Sequence, residues 1–252
     1  MTADDIKLIG VMGSGVMGGG ISQTFAQFGY KVVVRDLSEE ILARARDTIE
    51  NGRFGILTAA TRGLMTKEQA EAAAACITYT TREEDQRDVD LLIEAIPERL
   101  ELKQSEFGRW DKIINPQAIF ASNTSGYVIA ELAKEVSEQR RPHFIGFHWF
   151  SPAPVMKVIE TIYADFTAPE TTETMLELTR RIGKYAARVK DMPGTYGFVG
   201  NRVFAAMRRE AVKIVEDGIA TEEDVDAVMR FGRNWPVGPF NRGAPGSRSG
   251  WQ

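Results

Sequence analysis

The run "GVMGSGVMGGGIS", residues 10–22, carries six glycines between positions 10 and 20. Gly-x-Gly-x-x-Gly fits it in one register, Gly13, Gly15 and Gly18. A start at Gly10 puts Met12 in the second place, and a start at Gly15 puts Met17 there. Upstream, "IKLIGVM" (6–12) is a short apolar run of the kind that forms a buried parallel strand. Downstream, Met17, Ile21, Phe25 and Phe28 recur at helical spacing, and "KVVVRD" (31–36) reads as a β-branched strand. The glycines therefore lie at the first turn of a β-α-β unit. Gly13 permits the tight turn, Gly15 lets the backbone approach a pyrophosphate, and Gly18 lets the helix lie close to the sheet. Val16 and Met17 begin that helix, whose free amides and positive dipole end suit phosphate.

Asp36 stands eighteen residues after Gly18, at the end of the second strand. A carboxylate there accepts hydrogen bonds from adenosine ribose hydroxyls and repels a 2'-phosphate, which favours NAD over NADP. Arg35 beside it argues the other way.

Beyond Asp36, Ser38 can cap the helix "SEEILARARDTIENG", which Gly52 ends. Residues 53–75 read as helical again, with Thr66 and Gln69 spaced as a capping box. Cys76, in "ACITYT", reads as a buried strand residue. "DLLIEAIP" (90–97) and "AIFASNT" (118–124) are further buried strands, separated by the amphipathic "ELKQSEFGRWDKII". "HFIGFHWF" (143–150) and "VMKVIETIYA" (155–164) follow, joined by "SPAP", where the chain can reverse. Strands alternating with helices predict an α/β fold, a Rossmann-type, mostly parallel, doubly wound sheet. After "VKDMPG" the pattern is helical from Phe198 to Arg230, with a fresh start at Thr221 and Asp224. The expected organisation is a nucleotide-binding domain over 1–191, an all-helical domain over 192–240 and a flexible tail over 241–252.

The chain has 252 residues, 43% hydrophobic and 26% charged, with a net charge of -4. That balance gives no field to attract nucleic acid or an anionic membrane. No window holds eighteen apolar residues, the N-terminus lacks the form of a signal peptide, and no solenoid repeat is present. The single cysteine excludes an internal disulfide and suits a reducing cytoplasm. No metal site is expected.

Taken in order, "GSGVMGGGIS", "IEAIPERLELK", "ASNTS", "GFHWFSPAPVMKVIE" and "FVGNR" resemble the L-3-hydroxyacyl-CoA dehydrogenase family, over residues of about 5 to 240. The resemblance implies an NAD cofactor, a homodimer formed through the helical domain, and oxidation of a 3-hydroxyacyl-CoA to the 3-ketoacyl-CoA. It matches His148 to the catalytic base and Glu160 to its carboxylate partner. Ser125 and Asn201 match residues that bond the substrate oxygen. Glu98 and Lys103 match positions near the nicotinamide ribose and the junction between cofactor and substrate. Without the resemblance these readings are plainer. Ser125 is then a helix cap, Asn201 a first-turn residue, and Glu98 with Lys103 a solvated i, i+5 pair, which is no ion-pair spacing. The other histidine, His143, reads as surface or structural.

The sequence also departs from the family. Ser151 replaces the usual asparagine on the nicotinamide side, and serine lacks the amide's separate donor and acceptor. "PGTYGFVGNR" carries an extra "TYG" before Asn201. In the segment where the family binds CoA, Arg53, Arg62 and Lys67 are the local cations, equally readable as solvated helix residues. The end, "NRGAPGSRSGWQ", replaces further helices and reads as a truncated or altered C-terminus. Two alternatives stay open: a dehydrogenase of a non-CoA hydroxy acid or sugar acid, and a non-catalytic NAD-binding remnant.

Overall fold

A computed structural model describes residues 1–240. The expected tail, 241–252, lies outside the described residues. Eight strands form one sheet in the order β3-β2-β1-β4-β5-β6-β7-β8. β1 (Leu8–Met12), β2 (Lys31–Arg35), β3 (Ile77–Thr80), β4 (Leu91–Glu94), β5 (Ile119–Ser122) and β6 (Phe144–Trp149) are parallel neighbours. β7 (Val158–Tyr163) turns back antiparallel to β6, and β8 (Tyr185–Lys190) runs parallel to β7. The first six strands have the order of a doubly wound dinucleotide fold, in which the chain leaves β1 in opposite directions toward β2 and β4.

The central strands read as apolar runs because they are covered on both faces. Ile9 and Val11 of β1, Leu91 to Ile93 of β4 and Ile119 to Ala121 of β5 are all buried. Helix α1 (Val16–Gln27) packs Ile21 and Phe25 into the same core, where Phe25 meets Trp149 edge-on at 5.7 Å. α2 (Glu39–Asn51) starts at Ser38, whose side chain accepts the Ile41 amide, and ends at Gly52.

The stretch 53–75 is two helices, α3 (Ile56–Thr61) and α4 (Lys67–Ala75). Gly63, at φ +70°, breaks the run after Arg62 in the left-handed conformation that ends helices. The Thr66–Gln69 capping box then opens α4. Cys76 is not a buried strand residue. It caps α4 and is half-buried, because β3 begins one residue later.

α5 (Leu100–Trp110), the short α6 (Ile129–Leu132) and α7 (Pro169–Arg181) complete the sheet's helical covering. α8 (Val199–Glu216) and α9 (Glu222–Ala227) follow, the latter capped by Thr221. The chain divides into two compact units after Tyr196, where the sequence reading places the boundary near 191. The first unit extends past β8 because Asp191 accepts the Ala130 amide at 3.1 Å and the Tyr196 ring meets Tyr127 at 5.6 Å. No helix among the described residues is long and apolar enough to cross a membrane.

Candidate active site

Strand register lines the site up along one edge of the sheet. Arg35, Met12, Glu94, Ser122 and Gly146 are successive partners across β2, β1, β4, β5 and β6. The predicted residues Asp36, Gly13, Glu98 and Ser125 follow that row in the loops, and His148 stands two residues beyond it in β6. This is the carboxyl edge, where open α/β sheets hold their ligands.

The glycine turn has the geometry its pattern demands. Gly13 sits at φ +93°, and a Cβ there would lie 2.8 Å from the Ala95 carbonyl oxygen. A Cβ on Gly18 would stand 1.9 Å from the Gly13 oxygen, so that helix approach is open to glycine alone. A Cβ on Gly15 would meet no protein atom within 4 Å, which leaves its backbone open to a ligand at the start of α1. Val16 is exposed beside it, and Met17 packs onto the core. Asp36 accepts the Ser14 amide at 2.7 Å and its hydroxyl at 2.6 Å, tying the acid to the turn. Arg35 is held elsewhere, 3.4 Å from Glu83 and 5.9 Å from the Trp110 ring centroid. The residues therefore fit a dinucleotide with a free ribose 2'-hydroxyl.

Glu98 and Lys103 are no solvated pair. Glu98 precedes α5, so helical spacing does not apply, and the Lys103 ammonium reaches its Oε2 at 3.1 Å. Lys103 is 1% exposed and also bonds Glu94. Glu98 Oε1 accepts the Thr124 hydroxyl at 2.6 Å and the Ser125 amide at 2.8 Å. Ser125 is no helix cap, since α6 begins four residues later after Val128.

His148 and Glu160 are direct register partners on β6 and β7. Their side chains meet in a buried contact, Nδ1 to Oε2 at 2.6 Å. With Nδ1–H donating to the carboxylate, the imidazole lone pair lies on Nε2. The following loop carries Ser151, which is exposed, and is pinned by Lys184. The Lys184 ammonium donates to the carbonyls of Ala153 at 2.9 Å and Met156 at 2.6 Å. Burial holds its pKa below the ordinary lysine value.

A cleft of about 410 Å³ runs from the glycine turn past α2, lined among others by Gly15, Arg44, Arg53, Phe54 and Pro154. Arg53 lines it, whereas Arg62 and Lys67 are exposed outside it and Lys67 pairs with Glu71 at 3.5 Å. Asn201 lies in the first turn of α8, in the second unit. Glu94, Arg44 and Lys184 escaped the sequence reading. Only Glu94 left a signal, a charged residue inside the apolar strand "LLIE". No cluster of potential metal ligands occurs among the described residues.

The profile of the 3-hydroxyacyl-CoA dehydrogenase NAD-binding domain matches residues 8–192, and that of the family's C-terminal domain matches 197–243. The chain belongs to the 3-hydroxyacyl-CoA dehydrogenase family. It is 38% identical over 231 residues to a probable 3-hydroxybutyryl-CoA dehydrogenase of Deinococcus radiodurans, covering 92% of this chain and 80% of that one. It is 37% identical over 238 residues to the mitochondrial hydroxyacyl-coenzyme A dehydrogenase of Mus musculus, covering 93% and 74%. Among solved structures, the (S)-3-hydroxybutyryl-CoA dehydrogenase of Ralstonia eutropha superimposes with a TM-score of 0.87 at 34% identity, over 93% of this chain and 80% of that one. As a member of this dehydrogenase family the chain is an NAD-dependent oxidoreductase.

Proposed function

We propose that the protein oxidises the 3-hydroxyl of a short- or medium-chain 3-hydroxyacyl-CoA to the ketone, with His148 as base. The observation that carries this reading is the buried His148–Glu160 contact at the same sheet edge as the glycine turn. His148 Nε2 takes the hydroxyl proton, and the Glu160 carboxylate stabilises the imidazolium that results. Ser125 bonds the substrate oxygen as it becomes a carbonyl. Gly13, Gly15, Gly18 and Asp36 hold the dinucleotide, with Glu98, Lys103 and Ser151 on its nicotinamide side. Bound NAD supplies the acceptor for the hydride leaving the carbon. Arg53, with Arg44 beside it in the cleft, faces the CoA phosphates. The reading carries with it a homodimer built on the helical unit and a cytoplasmic location.

NADH formation from 3-hydroxybutyryl-CoA, compared with free 3-hydroxybutyrate, tests the proposal. Turnover of the CoA ester alone is expected. Preference for the free acid would establish a non-CoA dehydrogenase, and turnover of neither would sink the short-chain assignment.

A further inference from the structure

Lys184 is charged and buried, and no step of the proposed reaction uses it. The backbone around it is fixed. Helix α7 ends in a paired cap, with Gly183 at φ +71° donating its amide to the Arg180 carbonyl at 2.9 Å. The Lys184 amide completes that cap on the Thr179 carbonyl at 3.2 Å. One residue later, the Tyr185 amide donates to the Lys157 carbonyl at 2.6 Å, which brings Lys184 beside the loop after β6. That loop is a single turn, in which the Val155 and Met156 amides both donate to the Pro152 carbonyl at 3.0 Å. Its Ala153 and Met156 carbonyls accept from the Lys184 ammonium at 2.9 and 2.6 Å, and the Trp149 ring centroid lies 5.1 Å from that nitrogen. A buried charge is costly unless its protons are bonded, and among the described residues no carboxylate pairs with this one. The ammonium thus depends on the turn for its partners, and the turn on the ammonium.

A second contact seats the turn on α1. A Cβ on Gly20 would lie 3.0 Å from both the Ala153 Cβ and the Pro154 Cδ, so the turn packs where the helix carries no side chain. Gly20 falls outside the dinucleotide pattern of Gly13, Gly15 and Gly18, and this contact gives it a role. Gly20, Pro152, Ala153 and Pro154 line the cleft that also holds Arg44 and Arg53, whereas Lys184 stands outside the lining. We propose that Lys184 is a positioning residue for the coenzyme A carrier. It fixes the turn at 152–156 against Gly20 and so sets the wall that Ala153 and Pro154 give the cleft. The inference rests on the reading of this cleft as the coenzyme A site.

Lys184→Met keeps an unbranched stem and removes the charge with its donors. Free coenzyme A and NAD, each titrated calorimetrically into the full chain, are the probes, and amide hydrogen exchange at Val155 and Met156 is the local readout. Lys184→Met should weaken coenzyme A on the order of tenfold, the factor of one charged hydrogen bond, and leave NAD within about twofold of wild type. NAD is spared because the glycine turn and Asp36 hold it. Exchange should speed up at Val155 and Met156 while the β1 amides keep their protection. Gly20→Ala presses on the same turn and should also weaken coenzyme A. In the double variant the freed turn yields to the added methyl, so the combined loss should be smaller than two independent losses. Unchanged coenzyme A affinity in Lys184→Met would overturn the inference, and independent losses in the double variant would overturn the shared wall. An equal loss of NAD affinity, or lost protection throughout the sheet, would also overturn it, since either means a fold-wide role. If Lys184→Met fails to fold, Gly20→Ala decides, and unchanged coenzyme A affinity there counts against the wall. Wild type that does not bind coenzyme A at all removes the reading of the cleft, and the inference falls with it.

Discussion

At the scale of single residues, the base and its carboxylate illustrate how far a sequence can speak. His148 and Glu160 are twelve positions apart, and only the reversal of β6 into β7 makes them partners. The sequence offered the reversal at "SPAP" and the family match, but register is a property of the paired strands. His148→Gln retains a polar side chain and loses proton acceptance, so kcat should fall by about 10²–10⁴-fold with little change in NAD affinity. Normal turnover by that variant would disprove the assignment. Asp36 was legible from its spacing alone, whereas the fate of Arg35 was not, because Glu83 and Trp110 come from distant segments. With Arg35 engaged there, its charge does not offset the repulsion between Asp36 and a 2'-phosphate. NAD should therefore bind far more tightly than NADP, and Asp36→Ala should weaken NAD and narrow the gap. Calorimetry showing equal wild-type affinities would refute this.

At the scale of elements, the strand-turn-helix at the N-terminus was readable because its constraints are local. Two of its glycines separate folding from binding. Gly18→Ala drives a Cβ to 1.9 Å from a backbone oxygen, so the α1–β1 joint must open. Overpacking of this kind costs about 1–3 kcal/mol or more, and both thermal stability and NAD affinity should fall. Gly15→Ala meets no protein atom within 4 Å, so its melting temperature should match wild type while NAD affinity drops. Thermal scans with and without NAD distinguish the two. Equal binding by Gly15→Ala would show that the turn does not bring its backbone close to the cofactor. β8 was illegible for the opposite reason. Its residues "YAARVK" are half-buried or exposed, as befits a sheet edge, and only pairing with β7 makes them a strand. Of the break between α3 and α4 the sequence shows the far side, the Thr66–Gln69 capping box, whereas the stop at Gly63 stands out only in its backbone angle.

At the scale of the whole molecule, the buried Arg140 ties the α5–β5 connection to the turn before β6 and adds to the burial that disfavours charge on a histidine there. Arg140 donates to Asp111 at 2.8 Å and to the carbonyls of Ile114, Asn115 and Ala118, with its guanidinium 4.1 Å from the Phe120 ring centroid. Burial alone would push the Asp111 pKa up, but the bonds from Arg140 and Ser137 outweigh it and hold the carboxyl below its usual 3.8. His143, half-buried in the turn before β6, is shifted down from 6.5, first by burial and then by the Arg140 charge. The unfolded chain therefore takes up a proton near pH 6.5 that the folded one resists. Stability from this source is present above that pH and is lost as the pH falls toward the folded value. Asp111 adds a second loss in the same direction below pH 3.8. The denaturation midpoint of the first unit, followed through protection of the β5 and β6 amides, should thus decline as the pH falls below 6.5. His143→Gln cannot take up the proton in either state and should flatten that decline. A midpoint constant across the window, or an identical slope in His143→Gln, would show that the folded surroundings of His143 do not resist its charge.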